Sequence, residues 1–126
     1  MREFVAKEMQ ITGQRGYCKP NGKVSLNEAA LIVTGAIEYS RNTGLKELLV
    51  NLSGLTGFRL PSVGERYFFV EQWAATARGQ IRFALVAPAE LIDRNKFGTL
   101  VAKNRGFDAD IFASEADASR WLDSRL

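Results

Sequence analysis

No histidine occurs among the 126 residues. Its absence removes the commonest general base, a usual ligand of zinc and haem iron, and the side chain that ordinarily senses neutral pH. A single cysteine, Cys18, cannot form an intramolecular disulfide, and without histidine it builds neither a structural zinc site nor a Cys-His nucleophile. One lone thiol fits a reducing compartment. Nowhere do about 18 apolar residues follow one another, and the opening MREFVAKEMQ is charged throughout. Neither a membrane span nor a signal peptide is therefore expected, and the location reads as cytoplasmic. A strong charge of one sign is missing too: 17 Lys and Arg against 14 Asp and Glu leave +3, less than a general polyanion binder carries.

What is present has a globular composition, 46% hydrophobic and 25% charged. A chain of this length suits one domain, 1–126, burying roughly two-thirds of its unfolded surface. Along it, Phe4, Val5, Met9 and Ile11 alternate loosely and predict an exposed or edge strand from Glu3 to Thr12, ended by Gly13. A second strand, Arg15 to Lys19, leads to Pro20-Asn21-Gly22, where Asn-Gly favours a tight hairpin turn continuing into Lys23-Val24. Ser25 and Glu28 form a capping box, because the hydroxyl and the carboxylate three residues on can each satisfy an orphan backbone N–H. The helix begun there carries Ala29, Ile32, Val33, Ala36 and Ile37 at helical spacing and stops at Gly44.

The run Leu48-Leu49-Val50 within Leu45 to Leu52 predicts a strand covered on both faces, as in a parallel sheet. A glycine-punctuated loop, Ser53 to Leu60, precedes a helix from Pro61 to Arg78. Ile81 to Ala87 reads as another buried strand, Pro88 to about Asn104 as a third helix, and Phe107 to Phe112 as a shorter strand. Ser114 caps a last helix bearing Ala118, Trp121 and Leu122. Strands joined through helices imply parallel crossovers. The predicted fold is therefore α/β, a mainly parallel sheet after an N-terminal β segment, flanked by four helices.

The order and spacing of these pieces resemble the STAS domain of anti-sigma-factor antagonists and sulphate-transporter tails, in particular its stand-alone bacterial SpoIIAA-like members. The resemblance runs through Gly22-Lys23-Val24-Ser25, the strand and loop Leu48 to Thr56, Phe83-Ala84-Leu85-Val86-Ala87, Asn104-Arg105-Gly106, and Phe112 to Glu115 with Trp121-Leu122. It implies a small non-enzymatic module that binds a protein partner or a ligand beside this loop and the following helix. Phosphorylated members open that helix with Asp-Ser-Ser-Gly, whereas Arg59-Leu60-Pro61-Ser62 stands here. The phosphoacceptor site is accordingly not carried over.

Two groups of residues are candidate sites. The loop after Leu52 meets a helix N-terminus, where open α/β sheets bind ligands, and Ser53, Thr56, Arg59, Ser62 and Arg66 could hold a phosphate or carboxylate. The pattern matches neither G-x-G-x-x-G nor a P-loop, and the plainer reading is a turn whose Leu55, Phe58 and Leu60 cover the sheet edge. Phosphorylation at Ser53, Thr56 or Ser62 would add charge there. In the helix, Tyr67, Val70 and Ala74 define an inward face, which leaves Phe68 or the pair Phe69 and Trp73 off its centre as interface candidates. Trp73→Ala or Phe68→Asp is then expected to weaken association without unfolding; the alternative is a wholly buried stripe.

The basic residues Arg94, Lys96, Lys103 and Arg105 lack any RNA-binding motif, and the latter two suit a helix C-terminus. Nucleic acid is not expected as a partner. Asp108 and Asp110 are too few to cage calcium, and Cys18 reads as an apolar filler. No catalytic residue, metal site or cofactor is assigned. The expected role is a protein-interaction or regulatory module, self-associating as a homodimer or holding another protein. The alternative is a domain binding a small anion or amphipathic molecule at the loop after Leu52.

Overall fold

The computed structural model describes residues 3–92 and 97–124. Short-range signals act first. Ser25 Oγ accepts from the Glu28 N–H at 3.1 Å while Glu28 Oε1 accepts from the Ser25 N–H at 2.9 Å, and helix α1 runs from there over Leu26–Asn42. The same reciprocal cap forms between Ser62 and Glu65 at the start of α2, Val63–Ala77. Ser114 caps α4, Glu115–Asp123. Each such cap is worth about 1 kcal/mol. Gly44 takes a φ of 79° just past α1, a conformation costly for a side chain bearing Cβ.

Five strands make the main sheet, β1 (Met9–Thr12), β2 (Arg15–Cys18), β4 (Glu47–Asn51), β6 (Arg82–Val86) and β7 (Ala109–Phe112), in that spatial order. β1 and β2 are antiparallel; each following pair is parallel, with α1, α2 and α3 (Phe97–Asn104) connecting successive parallel partners. Every residue of β4 is buried. It alternates between two cores: Leu48 and Val50 face α1, α2 and α3, whereas Leu49 joins Ala84, Val86, Ala118 and Leu122 beneath α4. Burying each of these large aliphatic side chains contributes about 1.5–3 kcal/mol.

Three expectations are corrected. The hairpin turn falls at Gly13-Gln14, between paired Thr12 and Arg15, with Gly13 at φ 60°. Asn21-Gly22 makes no hairpin, because both edges of β2 are already taken by β1 and β4. Instead β3 (Gly22–Lys23) leaves the sheet and pairs in parallel with β5 (Leu55–Thr56). The strand expected from Glu3 begins only at Met9, after a 3₁₀ turn at Ala6–Glu8, and Phe4 packs against Tyr39 of α1 with ring centroids 5.7 Å apart. The third helix does not run on from Pro88. A 3₁₀ turn at Ala89–Leu91 ends with Ile92 extended, and the Leu91 carbonyl accepts from the Arg66 side chain. Arg94 and Lys96 lie outside the described residues.

Candidate functional site

The loop after β4 is held from both ends. Asn51, 4% exposed, accepts from the Ser53 N–H through Oδ1 and donates through Nδ2 to Glu115 Oε1, each at 2.9 Å. That ties the strand end to the first turn of α4. Further on, the Gly22 N–H donates to the Gly54 carbonyl at 3.1 Å and the Val24 N–H to the Thr56 carbonyl at 2.8 Å. Ser53 and Thr56 are exposed on this pinned segment, and nothing brings their hydroxyls to Ser62.

Arg59, Ser62 and Glu65 do come together. Arg59 donates through Nη1 to Glu65 Oε1 at 2.7 Å and through Nη2 to Oε2 at 2.6 Å, a bidentate pair. The Arg59 hydrogen bonds, with the Ser62 N–H adding to them, pull the Glu65 carboxyl down to about 2. The charge of Arg59 and the N–H groups of Ser62 and Glu65 are thus satisfied within the chain. Arg66 points elsewhere, donating to the Leu91 carbonyl at 2.7 Å. The five loop candidates are therefore divided among a pinned strand, a capped helix end and a separate wall.

α2 is rotated from the expected phase. Val70 and Ala74 pack inward as expected, but Tyr67 is 38% exposed, and Phe69 and Trp73 turn toward the interior instead. Trp73 stacks near Phe69, meets Phe83 of β6 edge-on at 6.2 Å, and donates its indole N–H to the Ala30 carbonyl of α1 at 3.2 Å. Phe68 lies on the outward side at 58% exposure, and Val63, at the first position of the helix and on a different side of it, is 62% exposed. Sequence spacing could not choose this phase, because α2 carries apolar residues nearly all round and its neighbours α1 and α3 decide which side faces in.

Beneath α2 lies a cavity of about 130 Å³ between the sheet and the first three helices. Its walls are aromatic: Phe58, Phe69, Trp73, Phe83 and Phe107 all contribute. Phe83 and Phe107 stack in parallel with centroids 5.8 Å apart. Sequence reasoning placed Phe58 in a loop and the others in strands and helices and missed that they converge, since they are spread over separate elements and the stacked Phe83 and Phe107 are 24 positions apart. Arg66 and Asp110 are the charged residues of the wall.

The remaining candidates have structural partners. Asp108 pairs with Arg82 at 3.0 Å, and Asp110 accepts from Thr99 Oγ1 at 3.1 Å and its neighbour Ile111 N–H at 2.8 Å. Arg105 pairs with Glu71 at 2.7 Å. Cys18 is buried, as a filler would be. Among the described residues no helix is long and apolar enough to cross a membrane.

No protein-family model matches the chain, and no curated protein does. Among solved structures, the NMR structure of the protein TM1081 is similar, with a TM-score of 0.54 and 17% sequence identity over 99% of this chain and 94% of the other. That likeness is one of fold: a five-stranded mixed sheet, opened by an antiparallel hairpin and then parallel, with four helices.

Proposed function

We propose that this chain is a non-enzymatic, cytoplasmic interaction module of the STAS type that self-associates through the outward face of α2. One observation carries the reading: Phe68 stands exposed on the side of α2 opposite its packed face, and Val63 is exposed at the first position of the helix. Leu60, also more than half exposed, leads into the same end of the helix. Large aromatic and aliphatic side chains presented together to solvent commonly anchor interfaces, and Phe is among the residues enriched there. The resemblance of the β4 strand and loop to STAS sequences supports the same role. The Glu65–Arg59 pair and the Ser62 cap hold this face in place, so little ordering would be needed on association.

Sedimentation velocity over a wide concentration range tests the reading. The wild-type chain is expected to form a dimer as concentration rises, and Phe68→Asp is expected to leave it monomeric with an unchanged unfolding midpoint. A monomer at every concentration, or a dimer indifferent to this substitution, overturns it.

A further inference from the structure

A second surface carries an inference that does not rest on self-association. The cavity beneath α2 has a buried floor, including Val33, Leu52 and Phe83, and a half-exposed rim at Pro61, Arg66 and Leu91. A floor of this kind excludes water in favour of apolar atoms; a cavity of about 150 Å³ lined by aliphatic and aromatic side chains stays dry and holds benzene. At about 130 Å³ this one has room for a single ring or a short aliphatic body, and not for the whole of a long acyl chain. Polar chemistry at the wall is sparse and asymmetric. Asp110 is engaged by Thr99 and by the backbone. Arg66 has five N–H donors, of which the Leu91 carbonyl takes one, and it has no other acceptor among the described residues. The remaining donors belong to a residue at the edge of an apolar hole, and a guanidinium with free N–H groups can take a carboxylate bidentately.

We infer that the cavity between α1, α2, α3 and the sheet binds a small amphipathic carboxylate, its ring or short hydrocarbon body among Phe69, Trp73 and Phe83 and its carboxylate on Arg66. Small-molecule sites have this composition, mostly apolar and aromatic with few polar groups that fix orientation.

The test uses the ¹⁵N-labelled full chain with 3-phenylpropionate as probe, its uncharged amide and toluene as comparisons, and the two indole N–H signals as readout. Trp73 lines the cavity while Trp121 packs on the opposite face of the sheet, so one signal reports binding and the other serves as control. The acid is expected to shift the Trp73 signal saturably and leave that of Trp121 in place. Arg66→Gln is expected to weaken the acid by about tenfold, as loss of a charged hydrogen-bond pair does, without changing toluene binding, and the amide is expected to bind wild type as weakly as the acid binds the variant. Gly98→Leu places bulk beside Val70, whose Cγ2 would lie 3.5 Å from the new Cβ, and is expected to abolish binding of all three probes. No saturable shift, equal shifts at both indoles, or an acid affinity unchanged by Arg66→Gln overturns the proposal. Should Gly98→Leu fail to fold, the Arg66→Gln comparison decides alone.

Discussion

The guanidinium carbon of Arg82 sits 4.0 Å from the centroid of the Trp121 ring. From that position Nη1 donates to the Leu122 carbonyl at 3.1 Å and Nε to Asp108 Oδ2 at 3.0 Å. One side chain of β6 thereby joins the last turn of α4 to the residue just before β7. Because α4 covers its face of the sheet alone among the described helices, this contact helps to decide whether Leu49, Ala84 and Val86 stay dry. Cation–π attraction of about 0.5–2 kcal/mol and a charged hydrogen bond to a helix C-terminal carbonyl act together. Arg82→Ala is expected to cost about 2 kcal/mol, read as a lower urea midpoint at unchanged slope. Arg82→Lys should recover less than half of this, since an ammonium cannot lie flat on the ring while also reaching Asp108 and Leu122.

Glu65 predicts a pH dependence. Its carboxyl lies at about 2 in the folded chain against an ordinary 4.5, chiefly through the Arg59 hydrogen bonds and then the Ser62 N–H. A lowered folded value means that the unfolded chain takes up the proton first as pH falls. The contribution is therefore fully present above pH 4.5 and disappears as pH drops toward 2. The difference in stability between wild type and Glu65→Gln is expected to be constant from neutral pH to about 5 and to shrink below it. Urea unfolding at closely spaced pH values measures it; a difference that stays flat down to pH 2 would contradict the assignment.

Trp73 and Phe68 stand five residues apart on one helix and are expected to respond oppositely to truncation. Trp73→Ala removes a ring packed on Phe69 and Phe83 and a hydrogen bond to Ala30, and should cost about 3–5 kcal/mol. Phe68→Ala should change stability by no more than about 0.5 kcal/mol in the monomer. Differential scanning calorimetry at a concentration below any association separates them. Similar losses for both would mean that Phe68 is packed.

Gly54 is where the loop after β4 crosses the β2–β3 connection. A Cβ there would run into the Asn21 side chain and lie 2.8 Å from the Pro20 carbonyl oxygen. Backbone atoms cannot yield as a side-chain tip does, so Gly54→Ala is expected to destabilise by about 1–3 kcal/mol. Hydrogen exchange should locate the damage at the Gly22 and Val24 N–H groups, which bond to this loop. Protection there equal to wild type would show that the crossing relaxes without loss.

Much of the fold was legible because its signals are local. Ser25 with Glu28 and Ser114 mark helix starts through bonds spanning three residues, and Leu48-Leu49-Val50 is apolar because both faces of β4 are covered. The same locality explains what misled. Asn21-Gly22 has hairpin chemistry, yet the partner for such a hairpin was displaced by β4, whose residues lie 32 positions after the β2 residues they pair with. Arg59 reads as a free cation until Glu65 is seen to hold both its terminal nitrogens.

The sequence by itself determined the α/β class, the capped starts of the first and last helices and the two-sided burial of β4, since propensity, capping and periodicity are properties of neighbours in the chain. Tertiary structure decided the strand order, the phase of α2 that turns Trp73 in and Phe68 out, and the meeting of Phe58, Phe83, Phe107 and Arg66 around one cavity. Those depend on which distant surfaces are already covered, and packing between elements far apart in the chain leaves no periodic trace in either one.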